Sequence, residues 1–215
     1  MPSITDLHGP AGPLEALLDE PGGEPLRAAV VFAHPHPQFG GTLHTKVVYQ
    51  GTKALARIGC AVLRFNFRGV GRSAGSFSGG PGETDDYKAA LDYMAGRYAG
   101  ARLWTAGFSF GAWVALETGA VDERVSATIG VAPPVATSIS GQEYRFDHTL
   151  GSSKPKFFVQ GEADEVCPLE AMWAFYGKLP EPKELVVIDA ADHLFEGRTQ
   201  EVGEALEDLL GDFYG

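Results

Sequence analysis

Leu103-Trp104-Thr105-Ala106-Gly107-Phe108-Ser109-Phe110-Gly111-Ala112 is the stretch that decides how this sequence folds. Its first six residues are a short apolar run of strand character, and Ala112, Val114, Ala115 and Leu116 continue with helical spacing. The join is the pentapeptide Gly107-Phe108-Ser109-Phe110-Gly111, a G-x-S-x-G pattern. A serine on such a strand-to-helix corner is forced into a strained backbone conformation. The residues two before and two after it must be small, so that strand and helix can approach each other. Because the chain holds 28 glycines, the context carries more weight than the match.

Outward from this corner, strand and helix alternate. Ala28 to Ala33, Ala61 to Phe67, Leu103 to Phe108, Val125 to Val131, Lys156 to Gln160 and Leu185 to Ile188 are short runs with little apolar/polar alternation, as in strands covered on both faces. Helical stripes occupy 42 to 58, 168 to 179 and 199 to 214. Another joins Tyr87, Ala90, Leu91, Met94, Ala95 and Tyr98, with Thr84 predicted as N-cap ahead of Asp85 and Asp86. Residues 3 to 20 surround the turn Gly9-Pro10-Ala11-Gly12-Pro13 and predict an N-terminal hairpin, and Ser73 to Gly82 reads as a surface loop. The alternation predicts α/β architecture, a parallel sheet with helices on both faces. A length of 215 residues fits one domain spanning 1–215.

Composition excludes several classes. Seventeen Lys and Arg against 28 Asp and Glu give a net charge of −11, which argues against a nucleic-acid partner. No apolar run is long enough to span a bilayer, and the start carries no basic, then apolar, leader, so a cytoplasmic protein without membrane attachment is expected. Two cysteines, Cys60 and Cys167, are no disulfide framework and are read as reduced thiols.

A serine hydroxyl is a weak nucleophile at neutral pH and needs a base, which in turn needs an orienting acid. In the α/β-hydrolase arrangement, which this serine corner resembles, the order along the chain is serine, acid, histidine. Asp164 follows the strand Lys156 to Gln160, and His193 follows the strand Leu185 to Ile188, so both fall with Ser109 at carboxyl ends of parallel strands. Glu162, Glu165, Asp189 and Asp192 compete with Asp164, Glu165 being the next choice.

Jointly, these residues resemble the α/β-hydrolases, and most of all the small lidless bacterial serine hydrolases of the dienelactone-hydrolase-like group. The resemblance is carried by His34-Pro35-His36-Pro37-Gln38-Phe39-Gly40-Gly41, Asn66-Phe67-Arg68-Gly69-Val70-Gly71-Arg72-Ser73, the serine corner, Gly161 to Pro168, and Asp192-His193. It implies the α/β-hydrolase fold, a mostly parallel eight-stranded sheet flanked by helices, with no cap domain. It also implies catalysis by Ser109, Asp164 and His193 without a cofactor. Dienelactone hydrolases place a cysteine where this chain has Ser109, and the serine points to ordinary ester hydrolysis.

An oxyanion hole needs two N–H donors, one from Phe110, after the nucleophile, and one from the loop after Ala33. Pro35 and Pro37 have no N–H, which leaves His36 in that stretch, with Gln38 or Phe39 as fallback. His34, His36 and His44 have no carboxylate or cysteine at metal spacing, so no metal site is expected. Gly69-Val70-Gly71-Arg72-Ser73-Ala74 mimics a dinucleotide fingerprint but is followed by Gly, Ser and Pro instead of a helix.

The expected activity is hydrolysis of small carboxylic esters. About 24 residues separate Val131 from Lys156, enough for a crossover but not for a cap, which predicts an open site for short acyl chains. Phe39, Phe110, Val135 and Phe195 are the expected pocket lining, and Trp173 is expected in the core. A peptidase or thioesterase could use the same residues, and a non-catalytic interaction protein is the reading from another class.

Overall fold

The computed structural model describes residues 3–23, 25–135 and 143–213. In chain order these form β1 (Ser3–Ile4), β2 (His8–Gly9), β3 (Gly12–Pro13), β4 (Ala16–Asp19), β5 (Ala28–Ala33), α1 (Lys46–Arg57), β6 (Cys60–Phe65), α2 (Pro81–Arg97), β7 (Leu103–Phe108) and α3 (Phe110–Val121). They continue as β8 (Val125–Val131), α4 (Asp147–Gly151), β9 (Lys156–Gly161), α5 (Leu169–Tyr176), β10 (Lys183–Ile188) and α6 (Thr199–Leu210).

The main sheet has eight strands in the order β1-β4-β6-β5-β7-β8-β9-β10. From β6 to β10 every pairing is parallel, and β4 and β1 close one edge antiparallel. The N-terminal hairpin is present: β2 pairs antiparallel with β3, and β1 with β4.

The near-absence of alternation in the strand sequences has a simple cause. Every residue of β5, β6, β7 and β9 is buried, but the side chains divide between two cores by the two-residue period of a strand. Val30 and Phe32 join Val48, Leu55 and Leu206 beneath α1 and α6, whereas Ala29, Val31 and Ala33 join Leu91, Phe110 and Leu116 beneath α2 and α3. The serine corner lies at the centre of the sheet, and α3 is buried against β5, β7 and β8, which explains a helix apolar nearly all round.

Several sequence expectations are corrected. Helix α2 begins at Pro81, not after Thr84: Gly80 is the N-cap, and the Glu83 carboxylate accepts the Gly80 N–H at 2.7 Å and the Ser78 N–H at 2.9 Å. Asp86 is no solvated first-turn acid but is buried and paired bidentately with Arg68 at 2.7 and 2.9 Å. Trp173 is 49% exposed; Met172 and Phe175 form the buried stripe of α5. The strand read as Ala61 to Phe67 runs Cys60–Phe65, helix α1 starts at Lys46, α5 is shorter at both ends, and α6 ends at Leu210, residue 214 lying outside the described residues. Among the described residues the connection from β8 to β9 contains one short helix, α4, and no helix is long and apolar enough to cross a membrane.

Candidate active site

Ser109 stands between β7 and α3 with φ 54° and ψ −119°, a positive φ rare for a side chain other than glycine. The corner is tolerable only because its flanks lack side chains. A Cβ on Gly107 would lie 2.1 Å from the Gly111 carbonyl oxygen, and one on Gly111 would lie 2.4 Å from that of His34. The hydroxyl is thereby held at the carboxyl edge of the sheet, close to the loop that follows β5.

Three residues far apart in sequence meet there. His193 Nε2 is 2.9 Å from Ser109 Oγ, and His193 Nδ1 is 2.8 Å from Asp164 Oδ2. The Asp164 side chain is fully buried and that of His193 is 13% exposed, so the imidazole keeps a small contact with solvent while the carboxylate has none. Phe108 backs the imidazole with ring centroids 5.4 Å apart, and Phe195 in turn packs on Phe108 at 6.2 Å.

The acid is unusually well bound. Its Oδ1 accepts the N–H groups of Val166 at 2.9 Å and Cys167 at 2.7 Å, and its Oδ2 accepts Gln160 Nε2 at 3.0 Å besides His193. The competing carboxylates are elsewhere: Glu162 accepts the Ala190 N–H, Asp192 accepts the Glu196 N–H, and Glu165 and Asp189 are exposed. Pro168 caps α5 and so fixes the loop that supplies the two backbone donors.

The loop after β5 is rigid for reasons visible in its hydrogen bonds. Fully buried His34 places Nδ1 2.6 Å from the Pro35 carbonyl and accepts the Phe67 N–H on Nε2 at 3.1 Å, so the ring carries its proton on Nδ1. Burial pushes its pKa down to about 4. In the next turn the Gln38 N–H bonds His36 Nδ1 at 3.2 Å and the Phe39 N–H bonds the His36 carbonyl at 3.1 Å. Both fallback donors are therefore engaged, while among the described residues the N–H groups of His36 and Phe110 meet no acceptor. The His36 ring lies 5.2 Å from that of Phe110, which brings this loop beside the start of α3.

The expected pocket lining is only partly brought together. Phe39 is 61% exposed on the rim, stacked on His36 at 4.7 Å, and Val135 is half-buried against the α2/α3 core. Phe195 is corrected: it is fully enclosed in the opposite core beneath α6, because the chain turns inward after His193 at a positive φ of 53°. Leu194, its exposed neighbour, lies on the outer surface instead. The residues missed in the sequence are Gln160 and Cys167; a glutamine directly after the apolar run Phe157-Phe158-Val159 of a buried strand was the available signal for the first.

Asp164, Cys167 and His193 are the one group of potential metal ligands among the described residues, with ligand atoms within 4.8 Å of one another. They do not fit an ion. Four donors already occupy the four lone-pair directions of the carboxylate, and burial, with the Asp164 charge nearby, raises the Cys167 pKa and keeps a protonated thiol. Nor is the glycine-rich turn after Phe67 a nucleotide cradle: it runs through turns into α2, with Glu15 accepting Asn66 Nδ2 at 2.8 Å and the Arg72 N–H at 2.9 Å.

The fold and this edge of the sheet define the class. The family profile described as alpha/beta hydrolase domain matches residues 26–213, and the chain belongs to that family. It is similar to the solved structure of an alpha-beta serine hydrolase homologue from Coxiella burnetii, at 39% identity and TM-score 0.87 with 97% of both chains covered. A serine hydrolase without lid from Xanthomonas campestris matches at 33% identity and TM-score 0.86, covering 96% of this chain and 92% of that one. An uncharacterized protein of Rickettsia prowazekii is 34% identical over 216 residues, 98% of this chain and 89% of that protein.

Proposed function

We propose that this hydrolase cleaves small carboxylic esters through a Ser109-His193-Asp164 triad and an acyl-enzyme intermediate. The observation that carries the reading is the unbroken hydrogen-bonded series from Ser109 Oγ through His193 to Asp164, at 2.9 and 2.8 Å, with the serine on a strained corner. Ser109 attacks the acyl carbon as His193 Nε2 takes its proton. Asp164 holds the imidazole by Nδ1 and stabilises the imidazolium. The free N–H groups of Phe110 and His36 receive the developing oxyanion, each donor worth about 3 kcal/mol of barrier. His193 gives its proton to the leaving alkoxide, then activates the water that releases the acid.

The short connection between β8 and β9 supports access from solvent and a preference for short acyl chains, with Phe39 and Val135 beside the acyl group. Fluorophosphonate labelling of the wild-type chain and of Ser109→Ala tests the nucleophile; an unlabelled wild type overturns the reading. A panel of para-nitrophenyl esters from acetate to palmitate, with thioesters and aminoacyl amides, tests the substrate. Fastest turnover of acetate or butyrate is expected, and faster cleavage of long chains, thioesters or amides refutes that assignment.

A further inference from the structure

We propose that Gln160 is a positioning residue of this site, holding the Asp164 carboxylate by the same oxygen that faces His193. The proposal rests on the triad reading above and deepens it. Gln160 is fully buried, one residue from the end of β9. Its Nε2 lies 3.0 Å from Asp164 Oδ2 and 2.7 Å from the Cys167 carbonyl oxygen. Both neighbours only accept hydrogen bonds, so the amide has one permissible orientation and both its N–H bonds are committed. It thus ties the acid to the backbone of the loop that already grips Oδ1 through Val166 and Cys167.

Two consequences follow from a shared oxygen. Rotation of the carboxylate is blocked, so Oδ2 stays aimed at His193 Nδ1. The second donor also draws electron density from Oδ2 and moderates its hold on the imidazolium. The price is visible on the other side of the amide: Gln160 Oε1 is buried and meets no donor among the described residues. Removing the amide would also strand the Cys167 carbonyl oxygen and one direction of Asp164 Oδ2, so some loss of stability is expected with it, and the pH profile rather than Tm separates the positioning role.

Ser109 faces His193 from the β7–α3 corner, and Asp164 and Cys167 face it from the loop before α5. On the loop after β5, His34 and His36 both have their pKa lowered by burial, while Asp192, beside His193, is exposed. The pH profile of kcat/KM is accordingly the readout on which a change in the Asp164–His193 hydrogen bond is sought.

The test uses Gln160→Met, which keeps the volume and removes the donors, and Gln160→Asn, which keeps the amide but withdraws it by one methylene. With para-nitrophenyl acetate, Gln160→Met is expected to lose about tenfold in kcat with KM within twofold, the effect of one hydrogen bond to a charged group. Its acidic limb is expected to rise by about half a pH unit, because Oδ2 relieved of one donor binds the imidazolium more tightly. Gln160→Asn moves the limb the same way by less, and answers the question if Gln160→Met fails to fold. A folded variant with an unmoved limb overturns the proposal, whether kcat is unchanged or reduced alongside a lower Tm. Failure of the triad reading is distinguishable: the wild type itself would then resist fluorophosphonate.

Discussion

Replacing Asp164 by asparagine tests the acid by a route the hydrogen bonds dictate. The carboxylate accepts two donors on each oxygen, whereas asparagine presents one carbonyl and one NH2 group. If the NH2 takes the Oδ1 position, it confronts the N–H groups of Val166 and Cys167, two donors that cannot adapt. At the Oδ2 position it confronts one fixed donor, Gln160, and His193, which can adapt by surrendering the proton on Nδ1. The second arrangement wins by one donor-donor clash. It leaves His193 protonated on Nε2, facing Ser109 with a donor, and the serine proton has no base. The expected loss is about 10⁴-fold in kcat, the effect of a wrong tautomer, or about 5.5 kcal/mol of barrier. The remaining clash predicts a stability loss of about 2 kcal/mol. Initial rates on para-nitrophenyl acetate and urea midpoints measure the two. Glu165→Gln, on an exposed neighbour, is the control and should keep activity within about twofold. A folded Asp164→Asn retaining a tenth of wild-type activity, or a collapse of activity in Glu165→Gln, would refute the reasoning.

Three further outcomes follow from burial and backbone contact. Gly111→Ala would drive a methyl group into the backbone of Ala33 and His34, at 2.4 to 2.8 Å, and should destabilise by about 3 kcal/mol, whereas Gly96→Ala in α2 meets open space and should stabilise by about 0.5–1 kcal/mol. Urea denaturation separates these signs. His34 titrates at about 4 when folded against 6.5 ordinarily, so the unfolded chain binds its proton first and stability falls as pH drops through that window. The excess stability of wild type over His34→Gln should accordingly shrink by about 3 kcal/mol from pH 7 to pH 4 and stay flat above pH 7; a constant difference would contradict it. Burial pushes the Cys60 thiol up to about 12 and raises Cys167 as well, so iodoacetamide should modify both only in urea, as mass spectrometry would show.

Much of the fold was readable because buried parallel strands and amphipathic helices leave their period in the chain. β5, β7 and β8 begin and end at the expected residues, since their ends are marked by loss of apolar character. Helix α2 was misplaced by four residues because its true cap depends on the Glu83 carboxylate turning back to Gly80, and its buried Asp86 on a partner 18 positions away. The same limit applies to Trp173: the helix is where its spacing placed it, but the buried face carries Met172 and Phe175, because which residues face the sheet depends on the rotation of the helix on it.

Sequence by itself determined which residue types stood at the carboxyl ends of the strands, and so named Ser109, Asp164 and His193 in their order, along with the two prolines that silence the neighbours of the His36 N–H. Only the tertiary structure decided what surrounds them. It put Gln160 on the oxygen Asp164 turns to His193, engaged the N–H groups of Gln38 and Phe39 on His36, and sent Phe195 into the opposite core. The physical reason is locality. Strand ends and turn residues follow from short-range rules, whereas the partner of a buried polar group is whichever atom packing across the sheet delivers within about 3 Å.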